Sequence, residues 1–138
     1  MSQINKQLKV KAELAELDTV IGFLEETLEQ AECPINLITQ ISISVEEIFV
    51  NIANYAYPES GGDCMLNMSV ENQNMTLCIA DSGEPFDPLT KEDPDITLSA
   101  EERDIGGLGI WMVKQSMDHV EYCYEDKQNK LTLVKSWE

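Results

Sequence analysis

Twice the chain reverses direction within two or three residues. "CMLNMSVEN" and "MTLCIAD" are separated only by "QN", and "VEYCYED" and "KLTLVKSW" only by "KQN". Alternating apolar runs bounded by turn formers read as strands. A link this short can join only antiparallel neighbours, because a parallel crossover needs about a dozen residues or more. Two hairpins of this kind commit the chain to a mostly antiparallel sheet, and "QLKVKAEL" adds a further alternating strand near the start.

Between the strands the apolar period changes from two to between three and four. Leu14, Leu17, Ile21, Leu24 and Leu28 mark a helix from Leu14 to about Glu32. Pro34 opens a second helix running to about Tyr57, which Pro58 and "ESGG" close, and a third is expected from Gly107 to about His119. The order strand, helix, helix, hairpin, loop, helix, hairpin predicts an α/β two-layer sandwich, a mostly antiparallel five-stranded sheet covered on one face by three helices. At 138 residues and 15.5 kDa the chain, 1–138, reads as a single domain with one core.

A formal net charge of −17, from 26 acidic against 9 basic residues, repels a phosphate-rich duplex, so no direct nucleic-acid binding is expected. The acid excess is either a solvated surface or a face for a basic protein partner. No run reaches the ~20 apolar residues of a membrane span, and "MSQINKQLKV" is too polar for a secretory signal. Cys33, Cys64, Cys78 and Cys123 lie far apart without a CxxC pair, and His119 has no ligand-type neighbour at metal spacing. Reduced thiols in a cytoplasm, and no structural metal, are the expectation.

The second helix carries the first chemical signal. At ~100° per residue, Ile38, Ile41, Val45, Ile48, Ile52 and Tyr55 form a core stripe. Beside it runs a polar file of Gln40, Ser44, Glu47, Asn51 and Asn54, with Ile43, Val50 and Ala53 beyond. Such a file is either a solvent stripe or a set of groups suited to a ligand or a metal. In "IADSGEPFD", Asp81 shares strand parity with Leu77 and Ile79 and so faces the helix layer, where a carboxylate requires a donor such as the exocyclic amine of a purine. Gly83 either lets a flat ring approach or is a turn glycine. Gly106, Gly107 and Gly109 at a helix start are either hinges or bare amides at the positive end of a dipole, suited to phosphate. No Walker lysine follows and GGLGI does not fit GxGxxG after a strand, which excludes the P-loop and dinucleotide readings.

Taken in order, "EEIFVNIANYAY", "DSGEPFDP" and "GGLGIWMVK" resemble the N, G1 and G2 boxes of the GHKL ATPases, the gyrase, chaperone, histidine kinase and mismatch-repair type. The short single-domain form and the DSGxPFDP variant resemble the anti-sigma factor serine kinases of the RsbW type. The resemblance implies that Glu47 is the catalytic acid that accepts a hydroxyl proton and Asn51 the Mg²⁺ ligand. It further implies that Asn54 and Phe86 line the nucleotide site, and that Asp81 and Gly83 hold adenine. Residues 86–105 would form an ATP lid from which Arg103 reaches the terminal phosphate, with the backbone from Gly106 through Gly107 and Leu108 to Gly109 on the phosphates. The implied activity is ATP-dependent phosphorylation of serine or threonine on a small antagonist protein, with a sigma factor as second partner, no membrane, and a homodimer as a common form. The alternative is a non-catalytic ATP-gated protein-binding module, and a purely structural adaptor leaves Glu47, Asn51 and Asp81 without a reason to coincide. No phosphoacceptor histidine precedes Glu47, which excludes a complete sensor histidine kinase, and Tyr55 replaces the histidine that some relatives carry.

Overall fold

The computed structural model describes residues 3–57, 61–90 and 107–137. In chain order it contains β1 (Gln3–Lys11), a 3₁₀ turn (Leu14–Glu16), α1 (Leu17–Gln30), α2 (Ile35–Tyr55), β2 (Asp63–Glu71) and β3 (Asn74–Asp81). A second 3₁₀ turn (Pro88–Thr90), α3 (Gly107–Ser116), β4 (His119–Glu125) and β5 (Gln128–Ser136) follow. The five strands form one sheet in the order β1-β2-β3-β5-β4, with every neighbouring pair antiparallel, as the short reversals require.

The pleat sorts the side chains. Leu66 pairs with Ile79 and Ile79 with Leu131, while Met68 pairs with Leu77 and Leu77 with Leu133, so these rows share one face. That face is buried in a single core with Val20, Leu24 and Leu28 of α1, Ile41, Val45 and Phe49 of α2, and Val113 of α3. The opposite face carries Asn5, Gln7, Asn67, Ser69, Thr76 and Thr132, polar residues that can remain beside water. The predicted two-layer sandwich is the fold observed. By length and hydropathy alone the 21 residues of α2 could cross a membrane. Here they form a core helix whose apolar stripe is covered by the sheet and the flanking helices.

Four details differ from the sequence reading. Leu14 starts no helix: it begins a 3₁₀ turn and is 54% exposed. The third helix ends at Ser116 instead of His119, which opens β4. Both hairpin turns sit one residue earlier than "QN" and "KQN". Asn72 and Gln73 (φ 52° and 64°) and Asp126 and Lys127 (φ 55° and 62°) take the left-handed conformation that a two-residue hairpin turn with the native strand twist demands.

Finally, Tyr55 is not core but 72% exposed, whereas Phe49, absent from the predicted stripe, is fully buried. The residues of that stripe recur at alternating three- and four-residue steps, a mean of 3.5 against the 3.6 of the helix, so they drift by ~20° per heptad, and Tyr55 is also the last residue of α2. Counted from Val45 at ~100° per residue, Phe49 lies ~40° away and Tyr55 ~80° away on the other side. Tyr55→Ala is therefore expected to leave folding stability within about 0.5 kcal/mol of the parent, read as an unchanged denaturant midpoint.

Candidate functional site

The site is built where β3 ends against the last turn of α2. Asp81 closes β3 with its side chain on the helix-facing side, paired with Cys64 of β2 and Asn129 of β5, and is only 5% exposed. Its Oδ1 accepts the backbone N–H of Gly83 (2.9 Å) and Nδ2 of Asn129 (3.0 Å). Among the described residues Oδ2 accepts no protein donor, so the carboxylate is half satisfied and offers one oxygen to a ligand. The thiol of Cys64 beside it is pushed up to about 12 by burial, with the Asp81 charge adding to the effect, so it stays a neutral wall. All four cysteines are unpaired.

Gly83 has a second reason to be glycine. A Cβ there would lie 2.3 Å from the carbonyl oxygen of Ala56, the C-cap of α2. The turn after Asp81 thus rests directly on the helix end, and any side chain would push it off. Tyr57 pins the same corner, its hydroxyl donating to the Asp63 carbonyl (2.7 Å) and accepting the Ser82 N–H (2.6 Å). Burial raises the pKa of this phenol, which keeps it a donor. Gly62 also has no room for a Cβ, which would fall 2.2 Å from the Tyr57 ring.

Asn54, Asn51 and Glu47 lie back along α2 from this corner. At ~1.5 Å per residue, Asn51 is ~7 Å and Glu47 ~13 Å along the axis from Ala56. Asn51 and Glu47 are half-buried and Asn54 is exposed. Asn51 Nδ2 reaches Glu47 Oε1 at 3.4 Å, a long contact that still turns the amide nitrogen toward the acid. Asn51 Oδ1 is thereby left without a protein donor among the described residues. Glu47 lines a groove of about 280 Å³ between α2 and α3, together with Ile43, Val50, Met112 and Val113. Ser44 of the predicted polar file is buried at the base of that groove and Gln40 is exposed.

Gly107, Leu108 and Gly109 form the first turn of α3, whose leading N–H groups have no partner within the helix. Phe86 is 58% exposed, and its backbone N–H donates to Asn129 Oδ1 (3.0 Å). Arg103, Gly106 and most of the predicted lid, from 91 onward, lie outside the described residues.

Sequence reasoning missed Asn129. Its carboxamide, 8% exposed, donates to Asp81 Oδ1 and to the Glu84 carbonyl (2.9 Å), with the Gly83 carbonyl at 3.4 Å. Its oxygen accepts from Phe86 N–H and from the Tyr122 hydroxyl. Desolvation, helped by the neighbouring Asp87 and Asp81, raises the Tyr122 phenol and so keeps it a donor. One signal was available: Asn129 shares strand parity with Leu131 and Leu133, which both face the core.

The fold is a two-layer α/β sandwich, and comparison with known proteins gives its class directly. The family profile of the histidine kinase-like ATPase domain matches residues 10–135. The chain belongs to that family. It is 26% identical over 129 residues to the serine-protein kinase RsbW of Listeria monocytogenes, covering 90% of this chain and 81% of the relative. It is also 26% identical over 95 residues to the serine/threonine-protein kinase BtrW of Bordetella bronchiseptica, covering 68% and 67%. In structure it resembles the RsbU and RsbW domains of Rv1364c from Mycobacterium tuberculosis, with a TM-score of 0.70 at 15% identity. That match covers 96% of this chain and about a third, 32%, of the other, and it speaks for the fold alone.

Proposed function

We propose that this chain is an ATP-dependent protein serine/threonine kinase that acts as a partner-switching regulator in the cytoplasm. Its substrate is a small antagonist protein, its second partner a sigma factor, and its working form a homodimer. Two relatives bear the name of serine or serine/threonine kinase, which supports the activity. The observation that carries the reading is the placement of Glu47 beside Asn51 on the helix that ends at the Asp81 corner. Adenine binding alone needs no carboxylate about two and a half helical turns away from the base pocket.

In this reading Asp81 Oδ2 accepts the 6-amino group of adenine, and Asn54 and Phe86 flank the nucleoside. The triphosphate runs back along α2 toward the first turn of α3, and the family resemblance assigns Arg103 and Gly106, which lie outside the described residues, to the same phosphates. Asn51 fits a magnesium ion, because its free Oδ1 is a hard oxygen and Mg²⁺ prefers to keep water and phosphate oxygens around one or two protein ligands. When bound, that ion would offset charge on the phosphates. Glu47 accepts the proton of the substrate hydroxyl as its oxygen forms a bond to the terminal phosphorus. ADP then departs, leaving a phosphoserine or phosphothreonine.

The test is to isolate proteins that co-purify with the chain from its native cell, add ATP labelled in the terminal phosphate with Mg²⁺, and map the label. The expected result is acid-stable label on serine or threonine of one small co-purified protein. ATP binding with no label on any co-purified protein would overturn the kinase reading.

A further inference from the structure

One carboxamide reaches both the base-reading carboxylate and the loop that follows it. Asn129 Nδ2 donates to Asp81 Oδ1 and to the Glu84 carbonyl, while Asn129 Oδ1 accepts from Phe86 N–H and the Tyr122 hydroxyl. An asparagine at this position satisfies donors and acceptors at once, and each contact fixes the orientation of the amide for the others. Because Asn129 and Gly83 both occupy Oδ1, they determine which oxygen of Asp81 remains to meet a ligand.

We propose that Asn129 is a positioning residue for purine selectivity: it holds Asp81 with Oδ2 aimed at a 6-amino group, and it anchors the Glu84–Phe86 loop through the same side chain. This rests on the nucleotide-site reading above. With Asn129 replaced by an apolar residue, the Asp81 carboxylate loses one of its two fixed donors and can rotate, and the loop loses the Glu84 and Phe86 contacts. A 6-amino purine then loses its oriented acceptor. A 6-oxo purine, which presents an acceptor to Asp81 in any orientation, loses much less.

The experiment is calorimetric titration of the parent, Asn129→Leu and Asn129→Asp with ATP and with inosine triphosphate, each with Mg²⁺, alongside thermal unfolding of each protein. The parent is expected to prefer ATP. Asn129→Leu should bind ATP about 10-fold or more weakly while inosine triphosphate changes by less than about threefold, so that the preference collapses. Asn129→Asp, the same shape with a second carboxylate facing Asp81, should lose ATP affinity at pH 8. It should recover toward the parent's value at pH 5.5, where a shared proton restores a donor to Oδ1. Equal losses for both nucleotides in Asn129→Leu, with no recovery of Asn129→Asp at low pH, would reduce Asn129 to a packing residue and overturn the inference. An unchanged preference in both variants would overturn it as well. A parent that binds neither nucleotide would instead overturn the nucleotide-site reading itself, and the inference with it.

Discussion

Asp81→Asn is expected to weaken ATP binding by about 10- to 100-fold, the equivalent of one hydrogen bond to a charged acceptor, ~1.5–3 kcal/mol. The structure sharpens the reason. Oδ1 is committed as acceptor to Gly83 N–H and Asn129 Nδ2, so an asparagine at 81 must place its carbonyl oxygen there. Its NH₂ then points outward, donor against donor, at the amine of adenine. Folding should change little, because the internal pairs survive. Calorimetric titration with ATP and Mg²⁺ reads the loss, and unchanged affinity would remove Asp81 from the nucleotide site.

Glu47→Ala is expected to separate chemistry from binding. If the carboxylate acts only on the hydroxyl proton, phosphotransfer to the co-purified partner should fall by ~10²-fold or more while ATP affinity stays within a few-fold. Asp81 and the first turn of α3 are untouched by the change. Asn51→Ala should behave differently, weakening Mg²⁺-dependent ATP binding as well as turnover, since it removes the free Oδ1. Labelled transfer and binding measured on the same preparations decide the matter. Equal transfer by Glu47→Ala and the parent would mean the base is elsewhere. If neither transfers phosphate although both bind ATP and partner, the non-catalytic gated module becomes the better description.

The architecture was legible because hairpin turns and helical periods are local properties, and antiparallel pairing follows from short links. Asp81 was legible for the same reason: parity with Leu77 and Ile79 places it inward on any model of the strand. What escaped was set by small offsets. Reading the last turn as Lys127 to Asn129 made Asn129 an ordinary turn asparagine. In the structure the turn is Asp126–Lys127, which moves Asn129 into β5 and turns it toward Asp81. Tyr55 failed through accumulated drift between a 3.5 and a 3.6 period. The close approach of Gly83 to Ala56 could not be read from "DSGEP", because it depends on where α2 ends in space.

The pairing of β3 with β5 has a consequence for how the protein is made. Asp81 and Asn129 are 48 residues apart in the chain, yet adjacent in the sheet. Each hairpin can zip up early from its own turn, but the Asp81–Asn129 corner exists only after the second hairpin has docked on the first, a long-range closure of the kind that slows folding. At ~5–20 residues per second of synthesis, roughly 2–10 s separate the emergence of the two residues from the ribosome. Throughout that interval β3 is an unprotected edge that invites pairing with other chains. A ligand of that corner is no help then, because the corner is still half built, so the burden of keeping the nascent chain apart from its neighbours falls on the charge of the chain and on chaperones.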